Sequence, residues 1–352
     1  MDLNQASAAA TPAAIQLPCV DVLIPVRNRA RFIAKCLESV RAQTLQPNSV
    51  IVVDDGSTDD TPEILDEFAE RWSKLRIIRS VPRGVSHARN LGLAASDAPF
   101  IAFLDSDDIW LPEKLERQMS LFLPDRPQLG FVHCDFIQID ELGRPLSDAP
   151  IPPSKRGDVF QAMVENLYHI SGSASAVVAR RELVRQAGGF DETLLCGEDQ
   201  DLWQKLARVS HVDYVPATLV GLRVHSENSC SQAVGSNPEL VLFQRLKIWN
   251  KWAEDIADST TVLATFRREA VSVSVANILR RNPDFGLYGR LKRSDLALAR
   301  RLFGGPLDYV QIVPRLSIAF DRIKYIFATR LILRSKVLLR LCQMFGKLKN
   351  VS

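Results

Sequence analysis

The chain predicts an α/β fold: a mostly parallel sheet with helices on both faces, followed by a C-terminal helical appendage. Three observations carry this reading. From Val20 onward, short apolar runs alternate with amphipathic stretches. Those runs are apolar throughout rather than at every second position, as strands buried on both faces require. The alternation recurs at short intervals, the pattern left by crossover helices between parallel strands.

Each element has its own justification. VDVLIPV, residues 20–26, is the first buried strand. The stretch 29–43 sets Phe32, Ile33, Cys36, Leu37 and Val40 at helical spacing. SVIVVDD, residues 49–55, is a β-branched second strand that runs into the turn GSTDD. A helix over 61–72 follows, with Thr61 placed to cap it and Pro62 in its first turn. Residues 75–80 read as a third strand, 84–96 as a third helix and 99–105 as a fourth strand. A fourth helix over 111–123 and a fifth strand over 129–140 continue the pattern. Residues 140–157, rich in proline and polar side chains, read as a loop over the site. Beyond it come a strand at 171–179, a helix at 180–188 ending on glycine, a helix at 197–209, and one or two strands within 211–225. From Pro238 onward only helices are predicted, and no internal repeat is visible.

A chain of 352 residues suits one large domain, or one domain with an appendage. At 46% hydrophobic and 24% charged it has the composition of a globular protein with a sizeable core. The net charge of +3 hides an asymmetry. Residues 286–352 hold 14 Lys+Arg against 3 Asp+Glu, a balance of +11, and the remainder holds 30 against 38, a balance of −8. A basic tail of this kind suits an anionic surface, lipid or nucleic acid, or is a solvated helical face. In residues 315–352, bulky apolar side chains alternate with Arg and Lys, as in segments that lie in a membrane interface. Aromatic side chains are too few there for regular stacking on bases, so no nucleic-acid partner is expected. The six cysteines form no CxxC pair and no Cys/His cluster, which argues against zinc and against a disulfide framework. No apolar run reaches the roughly 18–20 residues of a membrane span. Residues 1–18 lack the basic start of a signal peptide and read as a flexible leader. The expected location is cytoplasmic, with peripheral contact at the inner face of a membrane.

Asp54, Asp55, Asp105 and Asp107 all fall at predicted strand ends, where open α/β sheets gather their ligands. FLDSDD crowds Asp105, Asp107 and Asp108, and like charges at a strand tip repel unless something positive joins them. Asp105 and Asp107, two residues apart, point the same way on an extended strand. A loop can aim both at one hard cation, Mn²⁺ or Mg²⁺, which takes carboxylate and phosphate oxygens together. Taken alone, the short pattern reads more readily as a polar strand cap in an Asp-rich turn. In VVDDGS, Gly56 allows the tight turn, and a carboxylate can accept from a base N–H or a ribose hydroxyl. Alone, this too is ordinary turn chemistry. In GEDQDLW, Glu198 and Asp199 open a helix whose dipole favours acidic side chains. They are an acidic first turn or a general base at the mouth of the sheet. His225, ending a strand, is a structural histidine or a metal ligand.

Four segments taken together resemble the inverting family 2 glycosyltransferases: VDVLIPVRN, VVDDGSTDDTPEIL, ARNLGLAASDAPFIAFLDSDDIWLPEKL and RRELVRQAGGFDETLLCGEDQDLWQKLAR. They occur in the family's order within residues 19–232. The resemblance implies a GT-A, Rossmann-like domain over 19–232, after the leader and before a basic helical region at 233–352. It implies transfer of a sugar from a nucleotide-sugar donor, typically a UDP-sugar, to a hydroxyl of a glycan or lipid-linked acceptor. Assembly of cell-surface polysaccharide or glycolipid is the setting it suggests. Position by position, Pro25, Val26 and Asn28 would border the donor, and Asp55 with Asp54 would bind the base. Arg83 or Arg89 would assist at the nucleotide or diphosphate. Asp105 would lie near ribose and metal with Ser106 in the donor site, Asp107 would ligate Mn²⁺ or Mg²⁺, and His225 would complete the metal shell. Asp199 would be the base, with Glu198 beside it. Arg27 stands where that family often has an aromatic residue, which leaves the donor contacts there open, a non-uridine donor included. A non-catalytic nucleotide-sugar-binding protein would keep the turn carboxylates and need no base. A dehydrogenase would need GxGxxG after the first strand, and PVRNRA has no glycine.

Overall fold

The computed structural model of the chain describes residues 17–146, 155–164, 170, 173–225 and 248. The expected leader (apart from residues 17–18), the centre of the 140–157 loop and the basic C-terminal region (apart from Ile248) lie outside the described residues.

The first half follows the expected alternation: β1 (Val20–Val26), α1 (Ile33–Arg41), β2 (Ser49–Asp54), α2 (Thr61–Arg71), β3 (Leu75–Arg79), α3 (Val85–Ala95) and β4 (Phe100–Phe103). The second half is β5 (Ile109–Trp110), α4 (Lys114–Met119), β6 (Leu129–Ile139), α5 (Phe160–Val164), a 3₁₀ turn at Ala174–Ala176, β7 (Val178–Arg180), α6 (Arg181–Gln186), α7 (Glu198–Val209) and β8 (His211–Arg223).

These strands form one eight-stranded sheet in the order β3-β2-β1-β4-β7-β6-β8-β5. Both faces of the inner strands are apolar, and successive residues serve opposite layers. Val22 and Ile24 of β1 pack on one side with Ile33, Cys36, Leu37 and Val40 of α1. Leu23 packs on the other with Ala88 and Leu93 of α3 and with Leu202, Trp203 and Leu206 of α7. Each fully buried Leu, Ile or Val contributes about 1.5–3 kcal/mol through burial. Helix α3 lies very close to β1. A Cβ at Gly92 would stand 1.9 Å from Leu23 Cδ1, so only glycine permits that approach. At the opening of β1, buried Asp21 accepts from Asn48 Nδ2, Ser96 Oγ and the amides of Asp97 and Ala98. Burial pushes that carboxyl up, but the four donors outweigh it and hold it below its ordinary range.

The expected α/β sheet is present and is parallel in four of its seven pairings. The sheet is mixed: β1–β2, β2–β3, β1–β4 and β6–β8 pair parallel, while β4–β7, β6–β7 and β5–β8 pair antiparallel. Strand direction is set by how the chain re-enters the sheet, and β7 starts where β4 ends, with Val178 opposite Ala102. Within 171–179 only the last residues are strand, because the chain first makes the 3₁₀ turn. Helix α4 covers only Lys114–Met119 of the stretch expected to be helical, and 211–225 holds a single long strand. The short elements β5 and α5 carry too little periodicity to announce themselves.

Candidate active site

The carboxyl ends of β1, β2 and β4 open onto one group of loops. Pro25 and Val26 are buried at the end of β1, where Val26 pairs with Asp54 of β2. Arg27 and Asn28 follow on the surface. Asn28 adopts the left-handed backbone, φ 51°, which asparagine tolerates better than most residues. Its amide donates to Ser57 Oγ at 2.9 Å, and its Oδ1 accepts from the Thr58 amide at 2.8 Å. The side chain thus ties the first loop to the second. Asp54 accepts from the Ser57 amide at 2.9 Å within its own turn. Asp55 reaches further: its two oxygens accept from the amides of Arg83 and Gly84, each at 2.8 Å. Both expected base-binding carboxylates therefore also hold backbone, and Asp55 anchors the start of α3. The Arg83 side chain points to solvent and pairs with Glu192 at 3.5 Å, which also meets His87 Nδ1 at 3.1 Å.

The segment after β4 answers the crowding of its aspartates differently at each: Arg89 meets Asp105, Arg29 and His225 meet Asp107, and Asp108 is met by neutral donors. Arg89, buried on α3, donates to Asp105 Oδ1 at 2.6 Å. Asp107 Oδ2 meets His225 Nε2 at 2.9 Å and Arg29 Nε at 3.4 Å. Asp108 turns inward, accepting from Ser175 Oγ at 2.6 Å and from the amide of Arg223 at 2.8 Å. The Arg223 guanidinium donates to backbone carbonyls, that of Asp107 at 2.7 Å and those of Asp140 and Glu141 at 2.9 and 2.8 Å. Ser106 is buried within the same turn. The three carboxyls diverge accordingly. Burial raises Asp105, as do the charges of Asp107 and Glu198, with Arg89 opposing. Burial also pushes Asp107 up, but His225 and Arg29 prevail and hold it below its ordinary value. Burial and the two neighbouring aspartates push Asp108 well up.

Arg89 makes a second bond, donating to Glu198 Oε1 at 2.7 Å. One guanidinium so joins the β4 segment to the first turn of α7. Its Nε has no hydrogen-bond partner among the described residues, and its plane lies 5.0 Å from the Phe190 ring centroid. Glu198 is buried behind Gly197, which takes the left-handed conformation that starts α7. Asp199 is half-buried and accepts from the Gln200 amide at 2.7 Å. Burial, reinforced by the adjacent Glu198 charge, pushes its carboxyl up to about 7. A carboxylate at that value is suited to taking a proton near neutrality.

The structure therefore brings Asp105, Asp107, Glu198, Asp199, Arg89 and His225 to one end of the sheet, with Asn28, Asp54 and Asp55 in the adjoining loops. Arg89 lies behind this group, in the protein interior, while the Arg83 side chain stands apart on the surface. Asp107 and His225 are an oxygen and a nitrogen donor at one point, with the carboxyl favoured in the ionised form that binds metal. They fit a divalent cation. Among the described residues no three His, Cys, Asp or Glu side chains gather as a metal cluster. Two protein donors leave positions that phosphate oxygens can fill. Asp105 has one oxygen engaged by Arg89, so any share it takes in such an ion falls to the other. Sequence reasoning missed Arg29, Ser175 and Arg223. Nothing local marks them, since Ser175 and Arg223 meet Asp108 across 67 and 115 residues of chain.

Comparisons with known proteins bear on the family and the fold. Residues 21–186 match the family described as glycosyl transferase family 2. An uncharacterized glycosyltransferase of Rickettsia felis is 25% identical over 257 residues, which are 71% of this chain and 41% of that protein. The Rickettsia prowazekii protein RP339, also an uncharacterized glycosyltransferase, is 24% identical over 83% of this chain and 88% of its own length. Escherichia coli chondroitin synthase is 28% identical over 61% of this chain, which spans only 30% of that longer protein. Among solved structures, S. aureus TarS 1–349 in complex with UDP-GlcNAc superposes with a TM-score of 0.55 at 18% identity, over 84% of this chain and 82% of that one. The mannosyltransferase PcManGT of Pyrobaculum calidifontis, in complex with GDP-Man and Mn²⁺, gives 0.52 at 18% identity, over 90% and 89%. No helix among the described residues is long and apolar enough to cross a membrane.

Proposed function

Since this chain is, through residues 21–186, a member of glycosyl transferase family 2 with the GT-A fold, we propose that it is an inverting glycosyltransferase acting on a nucleotide-sugar donor. The donor is a UDP-sugar. The acceptor is a hydroxyl of a glycan or lipid-linked glycan, in assembly of a cell-surface polysaccharide or glycolipid. The observation that carries this reading is the Arg89 bridge, 2.6 Å to Asp105 and 2.7 Å to Glu198. It binds the segment expected to hold the donor to the segment expected to activate the acceptor.

The chemistry follows from the residues. Asp199 accepts the proton of the acceptor hydroxyl as its oxygen attacks the anomeric carbon. Attack opposite the departing diphosphate inverts that centre in a single displacement. General-base catalysis supplies about 10²–10⁴-fold. The remainder comes from orientation of donor and acceptor and from stabilisation of the leaving group. Glu198, held by Arg89, fixes the opening turn of α7 and keeps Asp199 facing the acceptor. Asp107 and His225 would hold Mn²⁺ or Mg²⁺, with Asp105 beside them, and the bound ion neutralises charge on the nucleoside diphosphate. Asp54, Asp55, Pro25, Val26 and Asn28 frame the nucleotide. The support for a nucleotide-sugar donor is that TarS and PcManGT are known with UDP-GlcNAc and GDP-Man. The support for polysaccharide assembly is the similarity to chondroitin synthase.

A donor screen by nucleotide release tests this, with and without EDTA. We expect turnover of a UDP-sugar that EDTA abolishes and Mn²⁺ restores. The anomeric configuration of the product, read by NMR, must be opposite to that of the donor. Release from GDP-sugars alone would overturn the uridine assignment, and a retained configuration would overturn the mechanism.

A further inference from the structure

We propose that Ser175 is a positioning residue for this reaction, its hydroxyl fixing the turn that aims the Asp105 and Asp107 carboxylates. The inference rests on the reading of that turn as the diphosphate and metal site. Ser175 is fully buried, on the 3₁₀ turn that enters β7. Its Oγ accepts the Asp105 amide at 2.9 Å and donates to Asp108 Oδ2 at 2.6 Å. A hydroxyl has one proton, so this donor is committed and its direction fixed. Asp108 in turn accepts the Arg223 amide through Oδ1, and its own amide closes on the Asp105 carbonyl at 3.0 Å. The two ends of the Asp105–Asp108 turn therefore meet in one oxygen atom.

The serine is itself held from behind. Trp110 Nε1 donates to the Ser175 carbonyl at 2.8 Å, and Gln118 Nε2 donates to the Ala176 carbonyl at 2.8 Å. The Ser173 hydroxyl accepts the Ser175 amide at 3.1 Å. Because Arg223 stands two residues before His225, the same network spans the two expected metal ligands. Partners that orient ligands in this way typically change metal affinity or activity about 10–100-fold when removed.

The molecule contains its own control. Ser96 Oγ donates to buried Asp21 at 2.7 Å, a bond of the same kind at the opposite end of the parallel strands. Ser175→Ala and Ser96→Ala are compared in the full chain by Tm, by Mn²⁺ affinity from EPR titration, and by UDP affinity from calorimetry with Mn²⁺ present. Both variants are expected to lose Tm to a similar degree. Only Ser175→Ala is expected to weaken Mn²⁺ and UDP binding, by about tenfold or more. Should Ser175→Ala fail to fold, Ser175→Cys keeps a weak donor and acceptor, and its binding is expected to be weakened while that of Ser96→Cys is not. Mn²⁺ and UDP affinities within twofold of wild type in the Ser175 variants would overturn the inference and leave the proposed function standing. Wild-type protein that binds neither Mn²⁺ nor UDP would overturn the reading of the site itself.

Discussion

At the scale of single residues, the proposed base Asp199 is expected to set the pH behaviour. Its carboxyl titrates near 7, so the rate is expected to rise with pH through that value as the base loses its proton. A kcat profile whose ascending limb lies near pH 4 would remove Asp199 from the role. Asp199→Asn is expected to abolish transfer, by about 10²–10⁴-fold, while donor affinity stays near wild type. The same shift has a stability side. A carboxyl whose folded-state pKa lies above its unfolded value destabilises the fold as it ionises, between about pH 4 and pH 7. The asparagine variant is therefore expected to gain in Tm over wild type at pH 8 and to gain little at pH 4. The placement of the acids, as distinct from their roles, was legible beforehand. Asp105, Asp107, Glu198, Asp199 and His225 sit in short motifs at strand and helix ends, where local pattern alone places them near the mouth of the sheet. The partners that set their charges were not. Arg89 could be singled out, but its burial between Asp105 and Glu198 depends on how α3 and α7 pack, and no local spacing encodes that.

At the scale of elements, α3 connects the segment proposed for the nucleotide to the segment proposed for the base. It begins where Asp55 holds the amides of Arg83 and Gly84, and it carries Arg89 to Asp105 and Glu198. Its distance from β1 is set by Gly92. Gly92→Ala would push a methyl into Leu23 and displace the helix, costing about 1–3 kcal/mol by overpacking. We expect a lower Tm together with a loss of kcat larger than that of an equally destabilising change on α2, which packs mainly on α1 and β3. Equal losses would show that α3 acts as scaffold alone. The apolar runs foretold β1 to β4 and the helices between them, because burial on both faces writes itself into composition. They could not foretell that β7 enters reversed. Three residues of strand carry no sign of direction, and the 3₁₀ turn before it is fixed by Trp110 and Gln118, which lie far away in sequence.

At the scale of the whole molecule, the chain joins an acidic body to a basic end. Residues 315–352 are proposed to rest on an anionic membrane face, near a lipid-linked acceptor, on the strength of their alternating apolar and basic side chains. Deleting them is expected to abolish co-sedimentation with vesicles of anionic phospholipid while turnover of a water-soluble acceptor survives. Undiminished sedimentation would place the membrane contact outside residues 315–352. The catalytic body has a consequence of its own. Asp55 grips the root of α3 and Arg89 grips the acids from farther along the same rod, so a base bound at Asp55, as proposed, would load the helix from which Glu198 hangs. Under that proposal, occupancy of the donor side and the setting of the acid across the cleft would be felt through a single helix.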